Sequence, residues 1–144
     1  MKCIIYLTIL SCILGSLASL KLLKQNVEDV QSFINQFRVR YLQKGDGRSY
    51  PYQGDRVKVH YIGTFPDSGR KFDSSRDRNQ PFAFNLGAGE VIRCWDMVVS
   101  QLTIGDRVKV ICPSRLAYGE QGAGRDIPPN TDIAFDIEML GINS

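Results

Sequence analysis

Apolar and polar residues alternate along five stretches of the chain. In one of them, Val57, Val59 and Tyr61 alternate with Lys58 and His60. A period of two directs successive side chains to opposite faces of a strand, so these stretches predict antiparallel strands with one face on a core and one in water. The five stretches are FRVRYL (37–42), RVKVHYIG (56–63), PFAFNLG (81–87), DRVKVIC (106–112) and DIAFDIEML (132–140).

One segment between two of these strands has helical spacing instead. Ile92, Trp95, Val99 and Leu102 recur every three or four residues, and Gly105 ends the run. Five strands and one short helix against a single face predict an α+β layer fold. The stretches KGDGRSYPYQGD, PDSGRKFDSSRDRNQP and YGEQGAGRDIPPN are rich in Gly, Pro, Asp and Ser. They are predicted to be loops, which commonly carry function on a rigid scaffold.

The first eighteen residues follow a different pattern from the rest. Lys2 precedes an apolar run, and small residues follow at Ser16 and Ala18. This arrangement predicts a signal peptide, residues 1–18, cut after Ala18. The run is shorter than the roughly 20 apolar residues that a membrane span needs. The alternatives are an uncleaved anchor, a lipid-modified Cys12 or a buried N-terminal helix. We therefore expect the protein in the secretory pathway, in the endoplasmic reticulum lumen or secreted, with membrane contact only if this segment is uncleaved.

Residues 19–36 are predicted to be a separate N-terminal amphipathic segment. Apolar residues stand at positions 20, 23, 27, 30 and 34, which is helical spacing. We expect a frayed helix lying on the domain, and a propeptide or a dimerising segment are the alternatives. Residues 37–144 are then predicted to form one domain, and we expect a monomer.

Composition and charge narrow the function classes. The chain has 144 residues, of which 43% are hydrophobic and 23% charged, enough for one domain with a core and unlike a disordered or integral membrane protein. The formal net charge of +3 favours no particular partner. Basic residues that alternate with apolar ones on strands predict solvated faces, so we expect no nucleic-acid partner.

The nucleophilic and metal-binding residues are few. Cys94 and Cys112 are the cysteines outside the first eighteen residues, and their spacing fits neither a metal site nor a disulfide framework. Cys112 alternates with Val108 and Val110 like a small core residue, so we predict two free thiols. His60 is the only histidine and is predicted to be a half-exposed strand residue, which argues against a catalytic triad. No metal or cofactor is expected.

Aromatic residues are frequent at the predicted inner positions and in the loops beside them. Several are near polar residues such as Asp73, Arg78 and Glu90. Rings at loop edges with a few fixed polar groups are typical of a shallow apolar pocket, and a small core filled by the same rings is the alternative. The aromatic residues are Tyr61, Phe72, Phe82, Phe84, Trp95, Tyr118 and Phe135.

Six short motifs occur in a fixed order between about Phe37 and Leu140: VHYxG, FDSS, PFxFxLG, EVIxxW, AYG and IPPN. In this order they closely resemble the FKBP-type peptidyl-prolyl cis-trans isomerases. The resemblance implies a twisted five-stranded antiparallel sheet wrapped around one short α-helix. It also implies an isomerase that rotates X–Pro bonds, assists protein folding and uses no cofactor. The implied partners are proline-containing polypeptides and macrolides such as rapamycin and tacrolimus.

The resemblance also assigns roles to single residues. Trp95 would be the floor of a proline pocket, and Tyr118 and the Ile92 N–H would donate hydrogen bonds to ligand carbonyls. Asp73 would lie near the reacting amide, oriented by Tyr61 and Arg78. The implied catalytic residues are Tyr61, Asp73 and Tyr118. The implied ligand-binding residues are Phe72, Arg78, Phe82, Glu90, Val91, Ile92, Trp95, Ile127 and Phe135, with Ile127 at the rim.

Two other functions remain open at this point. One is a non-catalytic proline-pocket module that holds a partner protein, and the other is a dimeric adhesion factor that uses residues 19–36. The chain also departs from the common family pattern. Cys94 stands where glycine is frequent, and Ala123, Gly124 and Asp126 alter the loop before Ile127. These departures put substrate preference and macrolide affinity in question more than the fold.

Overall fold

The computed structural model describes residues 17–28 and 38–144. Contacts within the chain divide it into two units, Met1–Gln36 and Phe37–Ser144. In the first unit, residues 17–28 form helix α1, and each of them is exposed. The apolar side chains of Leu20, Leu23 and Val27 are among them. Most of the predicted signal peptide, residues 1–16, lies outside the described residues, as do residues 29–37.

None of the helices in residues 17–28 and 38–144 is long and apolar enough to cross a membrane.

The second unit is built on one antiparallel sheet of six strands. The strands are β1 (Arg40–Gln43), β2 (Arg56–Thr64), β3 (Lys71–Ser74), β4 (Phe82–Asn85), β5 (Arg107–Cys112) and β6 (Ile133–Ile142). Their order is β1-β5-β6-β2-β3, and β4 pairs with the first half of β2.

The alternating sequence of the long strands produces the core. In β2 every second residue, beginning with Val57, is buried, and in β6 Ile133, Ile137 and Met139 are fully buried. The outward positions carry charges that pair with one another. Arg107 donates two hydrogen bonds to Asp136, at 2.8 and 2.9 Å. The predicted fold class is therefore confirmed, with polar residues on the solvent face.

Two strands differ from the prediction. β3 lies in a stretch predicted to be a loop, because its four residues include only Phe72 as a large apolar side chain and so show no period of two. The sheet consequently has six strands rather than five. β1 was predicted to bury alternate side chains, yet all four of its residues are exposed. The physical reason is that β1 is an edge strand, which pairs only with β5.

The helix of this unit is α2 (Arg93–Val99), and it buries Cys94, Trp95, Val98 and Val99. The predicted helical run extended to Leu102, but α2 ends at Val99. Tight turns follow, in which the N–H of Leu102 donates to the Val99 carbonyl at 3.1 Å. These turns still direct Leu102 into the core, where it is 1% exposed. The three-to-four-residue spacing of apolar residues therefore extends past the end of the helix at Val99.

A disulfide joins α2 to the sheet. It links Cys94 to Cys112, whose Cα atoms are 5.8 Å apart, and both residues are fully buried. The prediction of two free thiols is wrong. The two cysteines are 18 residues apart in the chain, and only the packing of α2 on the end of β5 brings them together.

A buried carboxylate fixes the loop between β1 and β2 to the turn before β5. Asp106 is 4% exposed and accepts hydrogen bonds from the N–H of Gly45 at 2.7 Å and from the N–H and hydroxyl of Thr103 at 2.6 and 2.8 Å. Gly45 must be glycine for this approach, because a Cβ there would lie 2.3 Å from the Ile104 carbonyl oxygen. The three residues form a polar cluster that holds distant parts of the chain together.

Candidate functional site

A cavity of about 160 Å³ opens between α2, the sheet and the loops that flank them. It is lined by rings from four strands, β2, β3, β4 and β6, and by the turn that begins α2. Apolar cavities of about 150 Å³ accept a benzene-sized ring, so this one has room for a small cyclic side chain. The lining residues are Tyr61, Phe72, Asp73, Phe82, Glu90, Val91, Ile92, Trp95, Tyr118 and Phe135.

Trp95 forms the base of this cavity. Its indole is 4% exposed and meets Tyr61 and Phe135 edge to face, at centroid distances of 5.0 and 5.1 Å. Phe82 and Phe84 lie 6.0 and 5.9 Å away. Edge-to-face pairs of this kind fix ring orientations, so the indole presents a rigid surface. Trp95 thus packs in the core and lines the cavity at the same time.

Phe72 forms one wall, and it depends on Gly63. The Phe72 ring lies 5.8 Å from the ring of Phe135. A Cβ at Gly63 would come within 2.6 Å of the Phe72 ring and 3.1 Å of Phe135. Only a residue without a side chain therefore lets these two rings close the wall. Gly63 is the last residue of the motif VHYxG, and its position two residues after Tyr61 was the one sign of this role in the sequence.

Three polar side chains form a closed hydrogen-bonded group at the edge of the cavity. The Tyr61 hydroxyl donates to Asp73, and the Arg78 guanidinium donates to both, reaching the Tyr61 hydroxyl at 3.1 Å. The N–H of Ser74 donates to the same carboxylate at 2.8 Å. Because Asp73 and Arg78 are 39% and 50% exposed, this ion pair contributes little to stability. Its effect is to hold the carboxylate in one orientation.

The protonation states of this group follow from its contacts. Burial raises the pKa of the Tyr61 hydroxyl, and the hydrogen bond to Asp73 raises it further. Burial also acts to raise the pKa of Asp73, but the hydrogen bonds from Tyr61 and Arg78 outweigh it and lower that pKa below its ordinary value. At neutral pH the site therefore contains a neutral phenol, a carboxylate and a guanidinium.

Tyr118 lies across the cavity from α2, between two short 3-10 helices, Ser114–Leu116 and Gly119–Gln121. Its side chain is 38% exposed. Partial burial, and then the charge of Asp73, raise the pKa of its hydroxyl, so the group is a neutral donor at physiological pH. Among the described residues its hydroxyl has no hydrogen-bond partner in the protein, which leaves it available to a ligand.

The turn before α2 is shaped by two residues that the sequence analysis did not assign. Asn85 donates its N–H and its amide to the Glu90 carboxylate, at 2.9 and 2.8 Å. Asp96 accepts the Gly87 N–H at 2.9 Å. These contacts hold the chain that carries Ile92 into the cavity. Asn85 occupies an unspecified position of the motif PFxFxLG, so the motif carries no sign of this role.

Ten of the twelve predicted site residues line the cavity, and two do not. Arg78 lies outside the lining and acts on Asp73 and Tyr61 instead. Ile127 is 5% exposed, and its N–H and carbonyl exchange hydrogen bonds with Ala123 at 3.1 and 2.9 Å. Its side chain is buried and is not among those that line the cavity.

The chemistry that this arrangement supports is binding and orientation. Within residues 17–28 and 38–144 no group of three or more His, Cys, Asp or Glu side chains is placed to hold a metal. His60, as expected, is half-buried on a strand, and its Nδ1 lies 2.9 Å from the Ser75 hydroxyl oxygen. The cavity offers aromatic faces, two tyrosine hydroxyls and two hydrogen-bonded carboxylates, those of Asp73 and Glu90.

Comparison with known proteins gives consistent matches over this unit. A model of the family described as FKBP-type peptidyl-prolyl cis-trans isomerase matches residues 47–140. The chain is 55% identical over 98 residues to peptidyl-prolyl cis-trans isomerase Fkbp12 of Drosophila melanogaster, which covers 68% of this chain and 90% of that protein. It is 50% identical over 105 residues to FK506-binding protein 1 of Yarrowia lipolytica, which covers 73% and 96%. A Xenopus laevis relative, peptidyl-prolyl cis-trans isomerase FKBP1A, is 47% identical over 103 residues, covering 72% and 94%.

Proposed function

This chain belongs to the FKBP-type peptidyl-prolyl cis-trans isomerase family, and we propose that the cavity above Trp95 is where it rotates X–Pro peptide bonds. The protein is a peptidyl-prolyl isomerase that acts on proline-containing polypeptides, and it binds macrolides such as tacrolimus and rapamycin. The observation that carries the assignment to this cavity is the apolar floor of Trp95 beside the fixed group of Tyr61, Asp73 and Arg78.

Rotation about an X–Pro bond breaks no covalent bond. The obstacle is amide resonance, a barrier of about 20 kcal/mol that makes the uncatalysed step take tens of seconds. Water stabilises the planar amide because it hydrogen-bonds to the charge-separated resonance form. A cavity that holds the proline ring on Trp95 and removes water from the carbonyl favours the twisted amide. Preferential binding of that twisted state lowers the barrier.

The polar residues have distinct roles in this proposal. Tyr118 donates its hydroxyl to a carbonyl of the bound chain, and the Ile92 N–H donates to another. Asp73 provides a fixed negative charge beside the rotating amide, and Tyr61 and Arg78 set its orientation. No proton has to leave the substrate, so Asp73 acts through charge and position rather than as a base.

A protease-coupled isomerisation assay on proline tetrapeptides tests the proposal. We expect turnover that rapamycin inhibits, and we expect Trp95→Leu to lose both turnover and inhibition while remaining folded. The exposed aromatic variant Tyr52→Leu is the matched control, because Tyr52 is 78% exposed and outside the cavity. Tight macrolide binding without turnover would instead favour a non-catalytic proline-binding module.

We also propose that the protein enters the secretory pathway through a signal peptide spanning residues 1–18. The disulfide between Cys94 and Cys112 supports this, because such bonds persist in oxidising compartments and are rare in the cytosol. Intact-mass measurement of the native protein tests the proposal directly. We expect an N-terminus at Ser19 and a mass two hydrogens below that of the reduced chain. A retained Met1 or Lys2 would refute cleavage.

A further inference from the structure

Neither cysteine of the disulfide lines the cavity, yet both lie in segments that lead to residues lining it. Cys94 immediately precedes Trp95, and Cys112 ends the strand from which the chain runs on to Tyr118. We infer that this bond positions the floor of the cavity and keeps the ligand site preformed. The inference rests on the proposed function of that site.

Helix α2 needs an anchor of this kind. It has only seven residues, and its N-cap residue, Ile92, makes no side-chain hydrogen bond to the first turn. Isolated helices of this length are not stable in water, so tertiary contacts determine where α2 lies. The disulfide is the one covalent contact described for it, and it acts on the first turn, where Trp95 also lies.

The other end of the bond is firmly held. β5 pairs with β6 along its whole length, and Cys112 lies opposite Ile133 in that register. Its first half is also paired with β1. The sheet is therefore the fixed partner, and the bond holds α2 in place on it. The indole of Trp95 therefore keeps one position among its neighbouring rings before a ligand binds.

The burial of the disulfide indicates whether it stays formed or is reversibly reduced as a redox switch. Both cysteines are 0% exposed, so a thiolate from solvent cannot reach either sulfur without local opening of the fold. Thiol–disulfide exchange depends on that access. We therefore assign the bond a constitutive positioning role, formed when the chain folds and retained afterwards.

The prediction is that loss of the bond loosens the site more than general destabilisation would. A preformed site binds more tightly because less ordering accompanies binding, so we expect tacrolimus to dissociate about three to ten times faster without the bond. We also expect faster amide hydrogen exchange at Trp95 in the unliganded protein. Binding should slow that exchange by a larger factor than in the oxidised protein.

The experiment compares three forms of the full chain at a temperature where each is folded. They are the oxidised protein, the same protein reduced under denaturant and refolded in reductant, and the variant Cys94→Ala/Cys112→Ala. Asp106→Asn is the matched control, because it disturbs the polar cluster at Gly45 and Thr103, away from the cavity. Should the reduced protein fail to refold, the double variant carries the comparison.

The outcomes are distinct. Dissociation and Trp95 exchange that are faster in the bond-free forms than in Asp106→Asn would support the positioning role. Equal dissociation rates in the oxidised and bond-free forms would overturn it and leave only a stabilising bond. Absence of tacrolimus binding by the oxidised protein would instead refute the proposed function itself.

Discussion

Asp73 and Asp106 are both carboxylates that accept three hydrogen bonds, yet their surroundings are opposite. The donors to Asp106 are two backbone N–H groups and the hydroxyl of Thr103, all inside the fold, and the residue is 4% exposed. The main donors to Asp73 are the side chains of Tyr61 and Arg78, and its own side chain is 39% exposed at the edge of the cavity.

From this difference we expect Asp106 to serve the fold and Asp73 to serve the proposed site. The bonds to Asp106 join loops that are 61 residues apart in the chain, so their loss would open the fold. The bonds to Asp73 join side chains at the edge of the cavity and hold no loops together, so their loss should change the site and leave the fold intact. Stability should therefore depend on one aspartate and function on the other.

The largest expected effect is on stability at Asp106. Asp106→Ala leaves the buried N–H groups of Gly45 and Thr103 without an acceptor. Because hydrogen bonds to charged groups and unpaired buried donors are both costly, we expect the free energy of unfolding to fall by about 3 kcal/mol. Urea denaturation measures it, and kcat/KM of the folded variant should equal that of the unaltered protein. A change below about 1 kcal/mol would show that this cluster does not hold the loops together.

The second effect is on catalysis at Asp73. Asp73→Leu removes the fixed charge beside the amide, and we expect kcat/KM to fall about tenfold, which corresponds to 1.4 kcal/mol of transition-state stabilisation. The unfolding free energy should change little, because the ion pair with Arg78 is exposed. Asp73→Asn keeps the shape and separates charge from size. Unaltered turnover in a folded Asp73→Leu variant would remove the carboxylate from the mechanism.

The third effect is on ligand binding at Gly63, which affects the cavity through the Phe72 ring. In Gly63→Ala the new Cβ would overlap the Phe72 ring, which must move by a few tenths of an ångström or more. We expect tacrolimus binding to weaken by about 1 kcal/mol, with a comparable or smaller loss of stability, because overpacking strains nearby side chains. Calorimetric titration gives the affinity. The combined variant Gly63→Ala/Phe72→Leu should recover part of it, and no recovery would mean that Phe72 is not the residue displaced.

Tyr118→Phe should have a smaller effect. It removes one hydroxyl donor from the cavity and keeps the ring, so we expect ligand affinity to fall by about 0.5–1.5 kcal/mol, the usual contribution of one neutral hydrogen bond. The same change at the exposed Tyr50 serves as control, since that ring is 50% exposed and outside the cavity. If the Tyr118→Phe variant and the unaltered protein bind the ligand with equal affinity, Tyr118 does not donate a hydrogen bond to it.

The smallest effect concerns pH. The pKa of Asp73 is lowered from 3.8 and those of Tyr61 and Tyr118 are raised from 10.0, so none of the three titrates near neutrality. We expect kcat/KM to be flat from about pH 5 to about pH 9. The stabilising contribution of ionised Asp73 is complete above pH 3.8 and is lost only as the pH falls through the lowered pKa. A slope of one within the flat range would indicate proton transfer by one of these groups.

The sequence predicted the parts of the fold that follow local patterns. Alternation in β2 and β6 identified the core strands, and helical spacing identified α2. It could not predict β3, whose four residues have no alternation, nor the bond between Cys94 and Cys112, which exists only because α2 packs on the end of β5. The pairing of Asp106 with Gly45 likewise depends on tertiary structure, since neither residue is near the other in the chain.

The candidate site was predicted largely through the family resemblance. The residues whose place or role was not predicted correctly differ for physical reasons. Ile127 precedes two prolines and was expected at the rim, but its backbone pairs with Ala123 in a small hairpin, and its buried side chain is not among those that line the cavity. Gly63 and Asn85 were given no role because their effects pass through Phe72 and Glu90. Residues that act by shaping their neighbours leave no pattern of their own in a sequence.

The central claim is that the ligand site lies on Trp95, and a fluorescence titration tests it most directly. Trp95 is the only tryptophan in the chain, so every change in indole emission reports on this one ring. We expect tacrolimus to change the emission in a saturable one-to-one titration, with the same midpoint at which it inhibits isomerisation of a proline peptide under the same conditions. Inhibition of the isomerase with unchanged Trp95 emission, or emission changes at concentrations that leave turnover unaffected, would contradict it.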